Sequence, residues 1–308
     1  MLKHKQKIIF LVGPTAVGKS ALAVELAKRL GAEIVSLDSM QIYKGLDILS
    51  SKPTEAMQKK INHHLLSFVA VGKDFSVAAY RRSALRIIKD AQRRGKIPLF
   101  VGGSGLYMSI LLDGIFRGVT KDDTLRKKLY AKAKQFGNVY LHKKLSEVDI
   151  ESASKIHPND LRRIVRALEV YQLTKKPLSK LKLKRRGLSD KYDIKLFGLN
   201  KQRQQLYLDI NNRVDEMFTL GLVDEVRRLL DYKLSHTCKQ AIGIKEVKGY
   251  LEGVYDLDYA KELLKKNTRH YAKRQLTWFR KDKRIDWVDA ADKEIKIVNK
   301  IARLVKHG

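Results

Sequence analysis

The chain has 308 residues, enough for one large domain or two smaller ones with a sizeable core. It contains 64 Lys and Arg against 33 Asp and Glu, which gives a formal net charge of +31. Such a charge attracts polyanions at long range, so nucleic acid is the first partner to consider. An acidic membrane surface is the second, and a solvated surface without a polyanionic partner is the third.

The single cysteine, Cys238, excludes an internal disulfide framework, and no Cys/His cluster has the spacing of a zinc site. We expect Cys238 to be a small buried residue. No run approaches the roughly 20 apolar residues of a membrane span. The apolar run at 8–12 is also too short for the core of a signal peptide. We therefore expect a cytoplasmic protein with no membrane partner.

The first 112 residues alternate between strand and helix patterns. Short apolar runs predict strands at 8–12, 33–36, 65–71 and 97–101. Helical periodicity covers 18–30 and 76–94, with Gly31 and Gly95 as terminators, and another helix follows the glycine turn at 102–105. This alternation predicts an α/β fold, in which a parallel sheet is flanked by helices.

The middle of the chain carries helical periodicity and little strand signal from 121 to about 191. It includes a helix at 161–173 and a stretch at 175–186 with seven basic residues and no acidic one. After it come a strand at 194–199, helices at 202–219, 223–230, 244–251 and 257–280, and a last strand at 285–288. We therefore divide the chain into a core (1–115), an all-helical insertion (116–193) and a second part of the core (194–308).

A phosphate-binding loop follows the first strand and opens the first helix. The motif G-x-x-x-x-G-K-[ST] is complete, in the residues Gly13, Pro14, Thr15, Ala16, Val17, Gly18, Lys19 and Ser20. Its backbone N–H groups and the helix N-terminus converge on phosphate oxygens, Lys19 contacts them, and Ser20 can coordinate Mg²⁺. The motif predicts a diphosphate or triphosphate ligand and is typical of ATP-binding proteins, but it does not by itself indicate ATP hydrolysis.

Asp38 lies just after the second predicted strand. Ligands of open α/β sheets bind beyond the carboxyl ends of the strands, so Asp38 should lie beside the phosphates. Position alone leaves three roles open for this carboxylate: a general base, a Mg²⁺ ligand, or the cap of a turn.

The order of several motifs along the chain resembles the tRNA dimethylallyltransferase (isopentenyl-diphosphate:tRNA transferase) family. The resemblance covers about residues 7 to 288 and is of the bacterial type, without the C-terminal zinc finger of eukaryotic relatives. Its departures are Ser104 where the family often has Thr, and Ile244 where it often has Tyr. The matching segments are 13–20, 38–48, 74–80, 102–107, 157–163, 166–169, 213, 221–226, 241–243, 245–246 and 268–280.

This resemblance implies the reaction. A dimethylallyl group passes from dimethylallyl diphosphate to the N6 amine of adenosine 37 in tRNAs that read codons beginning with U, and diphosphate leaves. By resemblance, Asp38 is the base, Lys19 and Arg213 are catalytic, and the residues of the phosphate loop bind the diphosphate together with Arg213 and Mg²⁺. The tRNA-binding residues implied in the same way are Asp38, Ser39, Met40, Gln41, Ser104, Arg126, Arg162, Arg163, Ile164, Val165 and Arg166.

The expected partners are dimethylallyl diphosphate and the tRNA anticodon stem-loop, and the expected state is a monomer. Three other functions compete with this one: a P-loop kinase of small molecules, an adenylate isopentenyltransferase, and a non-enzymatic RNA-binding module. A kinase does not require the charge of +31 or a basic insertion, and the insertion also argues against a free nucleotide as acceptor. A binding module would have no use for Lys19 and Asp38.

We also expect Tyr271, Trp278 and Phe279 to pack in the core.

Overall fold

The computed structural model describes residues 5–115, 121–183 and 185–307. The chain forms two compact units, one made by Leu112–Asp190 and the other by the segments before and after it. The boundaries of the unit Leu112–Asp190 differ by a few residues from those of the insertion expected at 116–193. Residues 116–120, where that insertion was expected to begin, lie outside the described residues, as does residue 184 in the basic stretch.

The larger unit is built on a six-stranded parallel sheet. Its strand order is β3-β2-β4-β1-β5-β6, with β1 and β4 at the centre. All residues of β1 from Ile8 to Val12 are fully buried, because helices cover both faces of a parallel sheet. The strands are β1 (Lys7–Val12), β2 (Ala32–Ser36), β3 (His63–His64), β4 (Ile97–Gly102), β5 (Asp193–Asn200) and β6 (Asp286–Asp289).

Nine helices of the larger unit, counted over the described residues, surround this sheet. One apolar cluster joins α1, β1, α10 and α14, and a second joins the segment after β2 to α11, α12 and α13. The helices are α1 (Lys19–Leu30), α2 (Glu55–Lys60), α3 (Val77–Arg93), α4 (Gly105–Leu112), α10 (Arg203–Thr219), α11 (Leu222–Leu230), α12 (Ile244–Leu251), α13 (Leu257–Phe279) and α14 (Glu294–His307).

The smaller unit contains five helices within its described residues and has its own apolar core. The side chains of Asp122, Asp149 and Asp160 cap three of them by accepting a backbone N–H bond in the first turn. The two ends of the unit are adjacent, since the N–H of Ser189 donates to the carbonyl of Leu112 at 3.3 Å. The helices are α5 (Asp123–Phe136), α6 (Asn138–Val148), α7 (Ile150–Lys155), α8 (Leu161–Thr174) and α9 (Leu178–Leu183).

The α/β fold with a helical segment is confirmed, but one predicted strand is wrong and two helices were missed. The strand predicted at 65–71 is wrong. Leu65 and Ser67 have left-handed backbone angles (φ of 60° and 49°), which interrupt an extended run, and the strand is instead the two preceding histidines. The helices α2 and α14 were not predicted. None of the helices in the described residues is long and apolar enough to cross a membrane.

Candidate active site

The phosphate-binding loop has the local structure that its sequence predicts. β1 ends at Val12 and α1 begins at Lys19, with Gly18 as the N-cap in a left-handed conformation (φ of 92°). Gly13 tolerates no side chain, because a Cβ atom there would lie 2.8 Å from the carbonyl oxygen of Leu199. The turn therefore brings the start of α1 to the carboxyl end of the central strand.

Lys19 is held against the loop by two hydrogen bonds. Its ammonium donates to the carbonyl oxygens of Pro14 at 2.6 Å and Gly13 at 3.1 Å. Burial and the charge of Arg213 together lower the pKa of Lys19 to about 7, against the opposing effect of Asp38. A bound anion would therefore raise the pKa of Lys19 and favour its charged form.

Arg213 projects from α10 into the same site. Its Nη1 donates to Thr15 Oγ1 and its Nε donates to Ser51 Oγ, both at 2.9 Å. Burial lowers its pKa, and Asp38 and Glu216 oppose that shift. An arginine remains charged under such a shift, so a fixed positive charge lies beside the phosphate-binding loop.

Asp38 lies two residues beyond the end of β2 and is partly buried. One carboxylate oxygen, Oδ1, accepts the backbone N–H of Met40 at 2.8 Å and that of Gln41 at 3.4 Å. The other, Oδ2, accepts no hydrogen bond from the described residues. The carboxylate therefore closes a turn with one oxygen and keeps the other available to accept a proton, so the turn and the base are compatible roles.

All of these side chains line one pocket of about 500 Å³. Part of its wall is the phosphate-binding loop from Thr15 to Ser20, and Asp38 and Arg213 also face it. Another part is apolar and consists of Ile34, Pro53, Met57 and Leu66. A polar, positively charged wall and an apolar wall in one pocket suit a phosphate ester with a hydrocarbon group.

Gln275 joins two turns of the site, a role that the sequence analysis did not find. Its Oε1 accepts the N–H of Thr15 at 2.9 Å and its Nε2 donates to the carbonyl of Gly103 at 3.0 Å. The side chain is 6% exposed, so both bonds are shielded from water. The only sequence signal for this role was that Gln275 lies in a segment matching the family. Its partners are 260 and 172 residues away along the chain, so the contacts produce no local sequence pattern.

Glu225 on α11 holds the segment that contains Ser51. Its carboxylate accepts three backbone N–H bonds, from Asp47 at 2.9 Å and from Ile48 and Leu49 at 2.8 Å each. The residue is 4% exposed, and its charge is satisfied by these donors. Glu225 is therefore a positioning residue that acts on the site through the 47–51 segment and the contact of Ser51 with Arg213.

The residues next to Asp38 that were expected to bind tRNA lie at the pocket or beside it. Gln41 lines the pocket, but its side chain already bonds within the protein, as Ser36 Oγ donates to its Oε1 at 2.8 Å. Ser39 and Met40 are partly buried and do not line the pocket. Ser104 Oγ accepts the N–H of Tyr107 at 3.4 Å, so this hydroxyl shapes the start of α4.

In the smaller unit the expected tRNA-binding residues fall into two groups. Arg126 and Arg166 both donate to Glu169, which is fully buried. Arg162 and Arg163 are exposed, and Arg163 also pairs with Asp160.

Ile164 and Val165, which were also expected to bind tRNA, have buried side chains. They are 0% and 1% exposed because they lie on the inner face of α8, in the apolar core of the unit. Their neighbours Arg162 and Arg163 lie on the opposite, solvent-exposed face.

The three aromatic residues expected in the core differ from one another. Phe279 is fully buried, as expected, and Cys238 is also fully buried. Tyr271 instead lines the 500 Å³ pocket, where burial and the charge of Asp38 raise its pKa. Trp278 is 48% exposed, and a Cβ on Gly105 would lie 2.1 Å from its ring. The core assignment of Trp278 was wrong because it lies on the outer face of α13, over the backbone of the glycine turn.

Comparison with known proteins gives one consistent result. The IPP transferase family model matches residues 41–282. The tRNA dimethylallyltransferases of Caldanaerobacter subterraneus and Geobacter sulfurreducens are 49% and 46% identical over 286 and 287 residues, covering 91% and 92% of both chains.

Solved structures agree with these relatives. The tRNA isopentenylpyrophosphate transferase of Bacillus halodurans superposes with a TM-score of 0.73 and 39% identity, over 98% of this chain and 96% of that one. A eukaryotic dimethylallyltransferase acting on tRNA superposes with a TM-score of 0.75 and 29% identity, over 92% of this chain and 74% of that one. By sequence and by fold, the chain belongs to the tRNA dimethylallyltransferase (IPP transferase) family.

Proposed function

We propose that this protein transfers the dimethylallyl group of dimethylallyl diphosphate to an adenosine of tRNA. The observation that carries this function is the meeting of Lys19, Arg213 and Asp38 in one pocket that also has an apolar wall. A phosphate loop alone would fit many reactions. The added carboxylate and apolar wall fit transfer of a hydrocarbon group to a weak nucleophile.

The reaction forms one bond and breaks one. The N6 amine of adenosine attacks the first carbon of the allyl group while the bond from that carbon to the diphosphate oxygen breaks. Asp38 accepts the proton that the amine loses through its Oδ2, which accepts no hydrogen bond from the described residues. Lys19, Arg213 and the loop N–H groups stabilise the negative charge that gathers on the leaving diphosphate.

A magnesium ion fits the residues of the site. Among the described residues no cluster of three or more His, Cys, Asp or Glu could hold a metal ion. The Ser20 hydroxyl lines the pocket as a hard oxygen ligand, and the diphosphate of the donor supplies further oxygens, so Ser20 would hold the ion together with the substrate. When bound, Mg²⁺ would neutralise charge on the leaving diphosphate.

The acceptor proposed here is adenosine 37 in the anticodon loop of tRNAs that read codons beginning with U. The target base has to leave its stack to enter the pocket. The helical unit, through Arg162 and Arg163 and its other exposed basic residues, is proposed to bind the anticodon stem-loop. The net charge of +31 supports a polyanionic acceptor over a free nucleotide. The proposed state is a monomer in the cytoplasm.

The test is the transfer of radiolabelled dimethylallyl diphosphate to unmodified tRNA, with AMP and ATP as competing acceptor and competing ligand. We expect label in tRNA with the wild type and a loss of orders of magnitude with Asp38→Ala. Label in AMP would favour an adenylate isopentenyltransferase. Phosphate transfer from ATP with no label in either acceptor would favour a kinase.

A further inference from the structure

The apolar wall of the 500 Å³ pocket is the part of the site that can distinguish one allylic donor from another. The phosphate-binding loop, Lys19 and Arg213 are assigned to the diphosphate, which is the same in every allylic diphosphate whatever the length of its hydrocarbon chain. A choice between short and long donors therefore depends on the side chains that surround the hydrocarbon. The members of this apolar wall are Ile34, Pro53, Met57 and Leu66.

Polar side chains beside the apolar wall are neutral and already bonded within the protein. Ser36 and Gln41 line the same pocket, and Ser36 Oγ donates to Gln41 Oε1 at 2.8 Å. His63 donates from Nδ1 to the carbonyl oxygen of Ile61 at 2.8 Å, because a carbonyl can only accept. Burial lowers the pKa of His63, so its ring is neutral at pH 7. These three side chains therefore bring no charge to the space beside the apolar wall.

The inner side of this space is fixed by the core of the larger unit. Ala23 on α1 and Ile34 on β2 both line the pocket, and they are only 1% and 4% exposed. Both belong to the apolar cluster that joins α1 to the sheet. Side chains in a close-packed core cannot move aside for a larger ligand. The room for a hydrocarbon chain therefore depends on the residue that closes the outer side.

Met57 closes that outer side. It is the one partly buried residue of α2, whose other five residues are exposed. Its side chain lines the pocket and packs against the same core cluster. Its backbone is held at the start of the helix, since its N–H donates to Thr54 Oγ1 at 3.3 Å. The volume of the side chain at position 57 can therefore change without disturbing the sheet.

We propose that Met57 limits the length of the allyl group that the site accepts. A dimethylallyl group lies between Met57 and the buried pair Ala23 and Ile34, and a longer chain collides with the methionine side chain. The inference rests on the proposed function, since it concerns the donor of that reaction. With a longer donor the chemistry is unchanged: the bond from N6 to the first carbon forms, the bond from that carbon to oxygen breaks, Asp38 accepts the proton and diphosphate leaves. Forcing extra carbons into a packed wall is costly, so size alone can exclude such a donor.

The experiment compares dimethylallyl diphosphate with geranyl diphosphate, which has one isoprene unit more. The ratio of kcat/KM for the two donors is measured with the same unmodified tRNA, so that any change in RNA affinity cancels. Met57→Ala enlarges the space, and Met57→Leu nearly preserves it. Lys59→Ala is the matched control, because it alters an exposed residue of the same helix that does not line the pocket. Calorimetric binding of inorganic diphosphate reports whether the phosphate-binding loop is intact in each variant.

We expect the wild type to favour the dimethylallyl donor by at least about 100-fold, and Met57→Ala to narrow that ratio by at least about tenfold. Met57→Ala should also lose about three- to tenfold in kcat/KM for the dimethylallyl donor, because an apolar contact is missing. Met57→Leu and Lys59→Ala should keep the wild-type ratio within about twofold, and all variants should bind inorganic diphosphate as the wild type does.

Two results would overturn the proposal. A wild type that transfers both donors equally well has no length limit. An unchanged ratio in Met57→Ala, with normal binding of inorganic diphosphate, would place the limit at another residue. Should Met57→Ala lose diphosphate binding, Met57→Val, which removes fewer atoms, takes its place and the same ratio decides.

A failure of the proposed function is distinguishable from a failure of this inference. If the wild type transfers neither donor to tRNA, the proposed function is wrong. The relative affinity of wild type and Met57→Ala for the two donors, measured by calorimetry without RNA, still decides whether Met57 limits the chain. If the wild type labels tRNA from the dimethylallyl donor and the Met57→Ala ratio is unchanged, only the role of Met57 is wrong.

Discussion

Asp38 closes a turn and is the proposed base of the reaction, and a single substitution separates these two roles. In Asp38→Asn the amide oxygen can still accept the N–H of Met40, so the turn persists, but the side chain cannot accept a proton. We expect kcat to fall by about 10²- to 10⁴-fold with little change in donor affinity. Single-turnover transfer of labelled donor measures the first quantity and calorimetry the second.

Asp38→Ala removes the turn as well as the base. It should show the same loss of kcat and, in addition, a lower melting temperature than Asp38→Asn. Near-normal transfer by Asp38→Asn would mean that the amine loses its proton to water or to another group, and the assignment of the base would be wrong.

The pKa of Lys19 makes donor binding depend on protons. A pKa of about 7 leaves Lys19 largely neutral at pH 8, and the negative charge of a bound diphosphate should raise that pKa. We therefore expect proton uptake when dimethylallyl diphosphate binds at pH 8, and almost none at pH 6, where Lys19 is already charged. Calorimetry in buffers of different ionisation enthalpy measures it.

Lys19→Met is the control, since it should bind the donor weakly and without proton uptake. The lowered pKa of Lys19 also affects the free energy of unfolding. In the unfolded chain Lys19 has the ordinary lysine pKa of 10.5, so the unfolded chain binds more protons than the folded one between about pH 7 and 10.5. The free energy of unfolding should therefore increase with pH across that interval, and this contribution is lost as the pH falls through 7. Equal uptake in Lys19→Met would show that another group takes the proton.

At the level of elements, the 47–51 segment is set by α11 through the carboxylate of Glu225. In Glu225→Gln one carboxylate oxygen becomes an NH₂ donor, so it can no longer accept the N–H bonds it received. We expect a loss of about 2 to 4 kcal/mol in the free energy of unfolding. We also expect a higher KM for the donor, because Ser51 is displaced from Arg213. Chemical denaturation and steady-state kinetics measure the two effects.

Ser51→Ala isolates the second effect from the first. It removes the bond from Arg213 and a long 3.4 Å bond from the Ser51 hydroxyl to the carbonyl of Ile48, so KM should rise while stability changes by less than about 0.5 kcal/mol. If Glu225→Gln were less stable but kept a normal KM in the folded fraction, the carboxylate would have a purely structural role.

Sequence patterns identified the elements whose signals are local. The motif at 13–20 predicted a strand, a turn and a helix with a defined ligand, and all three elements are present. The apolar run at 65–71 failed because periodicity does not report the left-handed angles at Leu65 and Ser67. Arg213 was assigned only by resemblance, and Glu225 and Gln275 received no role. Their partners lie 160 to 260 residues away and are largely backbone groups, which leave no pattern in the sequence.

Across the whole molecule, the helical unit begins and ends at one place. The hydrogen bond between Ser189 and Leu112 and the separate apolar core of the unit indicate that residues 113–188 can be replaced by a short Gly-Ser linker. We expect the remaining protein to fold and to bind dimethylallyl diphosphate within about threefold of wild type. Its affinity for tRNA should fall by at least about tenfold, because many basic groups are lost. Circular dichroism, calorimetry and filter binding measure these properties.

Arg162→Gln/Arg163→Gln complements this deletion within the full chain. Both side chains are exposed, so the variant should keep its stability and lose only part of the affinity for tRNA. A deletion variant that binds tRNA as tightly as the wild type would assign RNA binding to the larger unit alone.

The contact between Glu225 and the backbone also determines how the 47–51 segment can vary among related sequences. The carboxylate recognises N–H groups, and it makes no demand on the side chains that follow them. Position 47 is exposed, but its present side chain also accepts a bond from the ammonium of Lys52 at 2.6 Å, whereas Leu49 is restrained by its apolar neighbours. Proline alone is forbidden at all three positions, since it has no N–H to donate. Related enzymes can thus preserve the shape of the donor site through one glutamate while the segment that it holds changes its composition.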